Sequence, residues 1–237
     1  MRTPVLESLR FKARLAGLCY LLIIVCGLFS ELFVRGQLVV PGDAALTASH
    51  IIASKTLYRW GIASEVLMVV CDVAVALLFY GILRRVNRDL ALLAAFFRLI
   101  QAAILAVNLL HLYAAIALLG GQEYLNAFPP GQISALALYY TNLHTYGYLI
   151  SGVFFGMSCS IVGYLFIKSG FFPKILGDLA ILGGLSYLAD SFTHFLFPGW
   201  AQYTEFMVLC CAVLAEVSLC LWLLLKGVRV ERPDSLS

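Results

Sequence analysis

Six apolar runs, each long enough to cross a bilayer, decide what this chain can fold into. A span needs about 20 mostly apolar residues. Such runs occupy about 14–34, 60–83, 90–119, 144–168, 175–197 and 203–226. In lipid every backbone N–H and C=O must be paired within its own segment, so runs of this kind are helices. The third is long enough to tilt or to project from the bilayer. Of the 237 residues 62% are hydrophobic and only 12% charged, about half the charge of a soluble domain. The expectation is an all-α integral membrane protein: a six-transmembrane-helix bundle, a single domain over 1–237, with the lipid bilayer as its main partner. A net charge of +3 is too small to suggest nucleic acid.

Orientation follows from Lys and Arg, which favour the cytoplasmic side of short loops. Arg2, Arg10, Lys12 and Arg14 precede span one, and Arg84, Arg85 and Arg88 lie between spans two and three. Lys168 and Lys174 flank the turn after span four, and Lys226, Arg229 and Arg232 follow span six. Against these twelve, the opposite loops carry Arg35, Lys55 and Arg59. Both termini are therefore expected in the cytoplasm. The first apolar run is too long for a signal peptide and no small-x-small cleavage site follows it, so it is expected to stay as an anchor.

Two outer loops, 36–59 and 120–143, are expected to hold short helices. In "VPGDAALTASHIIAS" a Pro-Gly turn leads to Asp43, a helix N-cap. In "AFPPGQISALALYYTNLHTYGY" the chain restarts as a helix after Pro129, Pro130 and Gly131. A separate outer helix before span four, or a kink near His144, is expected there. Within span four, Gly152, Gly156 and Ser160 recur every four residues and leave one helix face smooth. Such a face serves close packing inside the bundle or, alternatively, a homo-oligomer contact. The seven cysteines lie in apolar runs without zinc-ribbon or oxidoreductase spacing, and read as packing residues.

Ionisable groups in a membrane need partners or a cavity. The turn between spans two and three centres near residues 86–87, so Asp72 matches Gln101 in depth and Glu65 matches Asn108. Arg98 stands about one helical turn from that level, within reach of Asp72. Asp72, Arg98, Gln101 and Glu216 are expected to form a buried polar network. Glu65, Asn108, His111, His144, Asp190, His194 and Glu205 lie near the outer ends of their spans and are expected to line an outward-facing pocket. Asp190 and His194, four residues apart, share one helix face.

Several segments together, "RLAGLCYLLIIVCGLFSELFVRGQLVVPGDAA", "MVVCDVAVALL", "LALLAAFFRLIQAAILAVNLL", "NLHTYGYLISGVFFG", "SGFFPKILG" and "LSYLADSF", resemble the bacterial membrane family known as domain of unknown function 4386. The resemblance covers nearly the whole chain. It implies a multi-pass protein of the bacterial cytoplasmic membrane, and it carries neither an activity nor functional residues.

Two function classes suit the polar residues. One is a small-molecule or proton-linked binding or transport protein, with a polar or lipid ligand in the outer pocket. The alternative is a metal-dependent membrane enzyme of hydrolase type. Zinc takes three His or carboxylate ligands and leaves one position for water, and His111, His144, His194 and Asp190 could supply the set. Haem between two imidazoles is a weaker variant of the same idea. No local motif such as H-E-x-x-H supports a metal, and the sequence has no phosphate-binding loop and no nucleophile elbow.

Overall fold

The computed structural model describes residues 4–229, and these contain helices and no strands. Helix α1 (Pro4–Leu28) continues through a π-helical stretch, Phe29–Arg35, into a last turn, Gly36–Leu38. Helix α2 (Ala44–Ala53) is short. Then come α3 (Lys55–Leu83), α4 (Arg88–Leu118), a 3-10 turn (Glu123–Ala127), α5 (Pro130–Ser169), α6 (Lys174–Leu196), a 3-10 turn (Pro198–Trp200) and α7 (Ala201–Leu225). Six helical stretches are long and apolar enough to cross a membrane, one for each expected span. Their apolar side chains are widely exposed, as at Leu77, Val107, Leu110, Phe206 and Leu225. Apolar area on that scale is stable against lipid and not against water. The protein is thus a multi-pass membrane protein. Arg2 and Arg232, two of the residues used for orientation, lie outside the described residues.

The loops follow local chemistry. Pro41-Gly42 forms a turn with Gly42 at φ 79°, a conformation open to glycine, and the Asp43 N–H donates back to the Val40 carbonyl. The Asp43 side chain then caps α2 by accepting from the Leu46 N–H at 2.9 Å, as expected. Asn87 caps α4 in the same way, through the Leu90 N–H. The 120–143 loop differs from expectation. Its short element is the 3-10 turn Glu123–Ala127, and residues 130–143 join span four in one 40-residue helix. Nothing breaks that helix near His144. Thr141 turns its hydroxyl onto the Ala137 carbonyl within it, and the glycine that follows, Gly147, accommodates a neighbouring side chain.

The chain divides into two compact units. One comprises the start of the chain to Leu21, Cys71–Ala102 and everything from Leu149 onward; the other comprises Leu22–Val70 and Ala103–Tyr148. Helices α1, α3, α4 and α5 contribute residues to both.

In the first unit α5 packs on α6 through glycine. A Cβ on Gly156 would lie 2.5 Å from the Gly184 carbonyl oxygen, and one on Gly163 would lie 2.6 Å from that of Gly177. Gly152 faces Ser191, and Ser160 faces Gly184. The smooth face of span four is therefore used for packing against α6. The core continues in rings, with Phe79 edge-on to Phe166 and Phe166 against Phe172.

The second unit has two apolar clusters. One joins Val34, Leu38, Ile51, Tyr58, Leu112 and Ala137, among others, and the smaller joins Cys26, Met68 and Leu105.

Candidate functional site

The second unit centres on Glu65 of α3, a carboxylate only 1% exposed. Four side chains converge on it. Ser30 and Arg35 bond one carboxylate oxygen, while His144 Nε2 at 3.1 Å and the Tyr148 hydroxyl at 3.2 Å share the other. Burying a carboxylate costs several kcal/mol unless it is paired and fully hydrogen-bonded, and here both conditions are met. Arg35 also pairs with the exposed Glu31 and donates to Ser30 Oγ at 3.1 Å. Its guanidinium stands 5.6 Å from the centre of the Tyr148 ring.

The π-helical stretch explains how Arg35 arrives there. The Gly36 N–H bonds back five residues to the Glu31 carbonyl, which widens the turn. Residues five apart, Ser30 and Arg35, then come onto one side of the helix, facing Glu65. Such π-turns inside α-helices recur at functional sites. Sequence reasoning ended span one at residue 34 and left Arg35 in a loop, so it missed this partner together with Ser30 and Tyr148. The signal available was the charge itself, one residue past an apolar run that contains Glu31.

His144, 1% exposed, donates through Nε2–H to Glu65, and that bond suits a neutral or a protonated imidazole alike. Asn108 stands beside it. The Asn108 amide donates to the His144 backbone carbonyl at 2.8 Å, and its oxygen meets His111 Nδ1 at 2.9 Å. A Cβ on Gly147 would lie 1.9 Å from that oxygen, so glycine is what admits the amide.

The expected pocket residues thus form two groups, one in each unit. Glu65, Asn108, His111 and His144 are linked in the second. In the first, His194 Nε2 meets Glu205 Oε1 at 3.0 Å and His194 Nδ1 meets the Asp190 carbonyl oxygen at 3.0 Å. The Asp190 carboxylate is 3.3 Å from the same ring nitrogen. His194 therefore ties the end of α6 to the start of α7. Among the described residues no three His, Cys, Asp or Glu side chains are grouped so as to hold one metal ion, at His111, His144, His194, Asp190 or elsewhere.

The first unit also holds the buried network. Arg98 donates to Asp72 at 2.6 Å, Gln101 donates to the other Asp72 oxygen at 3.3 Å, and Arg98 reaches the Tyr20 hydroxyl at 3.3 Å. Glu216 does not pair with Arg98; it accepts from Tyr187 at 2.9 Å.

A curated relative, an uncharacterized protein of Archaeoglobus fulgidus, is 29% identical over 176 residues, covering 73% of this chain and 86% of its own length. No solved structure matches the chain. The family description that does match spans residues 15–227, nearly every residue placed above. By that match the chain belongs to the family described as Domain of unknown function (DUF4386).

Proposed function

We propose that the protein is a proton-linked binding or transport protein of the cytoplasmic membrane, with Glu65 and His144 as its proton-carrying pair. The observation that carries this reading is the contact of a buried carboxylate with a buried imidazole on two spanning helices. Glu65, Glu31 and Arg35 together carry one net negative charge when His144 is neutral. A proton on His144 brings the sum to zero and leaves the Nε2–H bond to Glu65 in place. Imidazole can take up or release a proton at one ring nitrogen while the other keeps its hydrogen bond, which suits it to pass protons. Ionisable residues kept inside spanning helices serve proton and substrate paths. Both termini are assigned to the cytoplasm from the basic-residue bias, which puts the Glu65 group towards the outer face.

The test is proteoliposomes loaded with a pH-sensitive dye and presented with panels of amino acids, amines and organic acids. At least one class should drive an internal pH change. Glu65→Gln should abolish it while the protein still folds, and His144→Gln should separate solute movement from proton movement. A folded wild-type protein that moves no protons with any class would overturn the proposal.

A further inference from the structure

The first unit contains a small cavity with polar groups in its wall. All six long helices contribute to it, through Tyr20 of α1, Phe79 of α3, Arg98 of α4, Cys159 of α5, Tyr187 of α6 and Glu216 of α7. Small residues, Gly183, Gly184, Ala212 and Ala215, make the space. The centre of a water-sized sphere has about 20 Å³ to move in there, and one water needs about 10–15 Å³. The occupant is therefore a single atom or a single water.

Three of the wall residues have hydrogen-bonding capacity left over. Arg98 uses its terminal nitrogens on Asp72 at 2.6 Å and on the Tyr20 hydroxyl at 3.3 Å. Its guanidinium lies 5.1 and 5.0 Å from the centres of the Tyr20 and Phe155 rings. Its Nε–H is buried and has no partner among the described residues, which is costly for a buried donor. The Tyr20 oxygen accepts from Arg98, and its own O–H remains to donate. Glu216 takes the Tyr187 hydroxyl on Oε1 at 2.9 Å, and a carboxyl group accepts further bonds whether or not it carries a proton.

Two donors and one acceptor select the occupant. A metal cation would face the hydrogens of Arg98 and Tyr20. A halide would accept from both but has no hydrogen to turn to Glu216. Water does both, and three partners are the usual number for a buried water. We infer that this cavity is a binding site for one water, which accepts from Arg98 Nε and the Tyr20 hydroxyl and donates to Glu216. The water brings Glu216 into the Asp72–Arg98 network without a direct contact between the two side chains. One hydrogen-bonded chain then runs from Asp72 to Tyr187. The site is independent of the Glu65 group, so either reading can fail without the other.

The test is a crystal structure of the full chain grown from a lipid mesophase, at a resolution that shows ordered water. One peak is expected at hydrogen-bonding distance from Arg98 Nε, the Tyr20 oxygen and a Glu216 oxygen. Tyr20→Phe, which keeps the ring and removes one donor, should lower the occupancy of that peak at least twofold. Ala215→Val, which adds two methyl groups to the cavity wall, should remove it. If either variant does not fold, the wild-type map alone decides. A wild-type cavity without density, a peak that misses Arg98 Nε or Glu216, or anomalous density there in crystals grown with bromide would overturn the inference. So would unchanged occupancy in both variants.

Discussion

Replacing Asp72 with Asn tests the buried ion pair of the first unit with little change of shape. Arg98 is 3% exposed, so the charge it would be left with has no water to turn to. The hydrogen bonds themselves can survive. An Asn oxygen can still accept from Arg98 Nη2. The new amide N–H₂ would face the Gln101 amide, but Gln101 Oε1 has no partner, so a flip of Gln101 restores a bond there. The loss is then mainly one of charge. Removing one partner of a buried pair costs about 3–5 kcal/mol, and the ring contacts of Arg98 stay in place to hold the figure near the lower end. Arg98→Gln, which strands Asp72, should cost a similar amount. Because each single substitution strands the other's charge, the double variant should be more stable than the sum of the singles by about 2 kcal/mol. The assay is SDS titration in mixed micelles followed by circular dichroism. If the double variant loses the plain sum of the two, within about 0.5 kcal/mol, the two residues are not coupled and the account of Arg98 fails.

Three further outcomes are expected. Gly147→Ala should cost about 2–4 kcal/mol by evicting the Asn108 amide from two hydrogen bonds, and adding Asn108→Ala should restore part of that loss in the same titration. Gly163→Ala should cost about 1–3 kcal/mol, because the added carbon meets the backbone oxygen of Gly177 and backbone cannot swing aside; an unchanged midpoint would show that α5 and α6 are less tightly packed than described. Reporter fusions at Gln122 and at Ser237 should report opposite sides of the membrane, and signals from the same side would remove the proposed orientation.

Much of the architecture was legible because it is set by segments acting alone. Apolar length specified six helices, since lipid leaves the backbone no other way to pair its polar groups. Asp43 announced its cap because a cap needs only the next turn. The Asp72–Arg98–Gln101 cluster was also readable: one short turn joins the two helices, so position along one sets depth on the other. What sequence could not place depends on how helices are rotated against partners far along the chain. Glu65 meets His144 across 79 positions, and no turn sets that register. Arg35 enters only because a π-turn shifts the helix phase by one residue, a change that no propensity encodes. Glu216 was expected near Arg98, and both line the same cavity; that its hydrogen bond comes from the Tyr187 hydroxyl depends on the rotation of α7 against α6, where Gly183 meets Ala215. Sequence thus determined which residues must be buried in a membrane. Only tertiary packing decided which of them meet, because depth is a property of one helix and contact is a property of two.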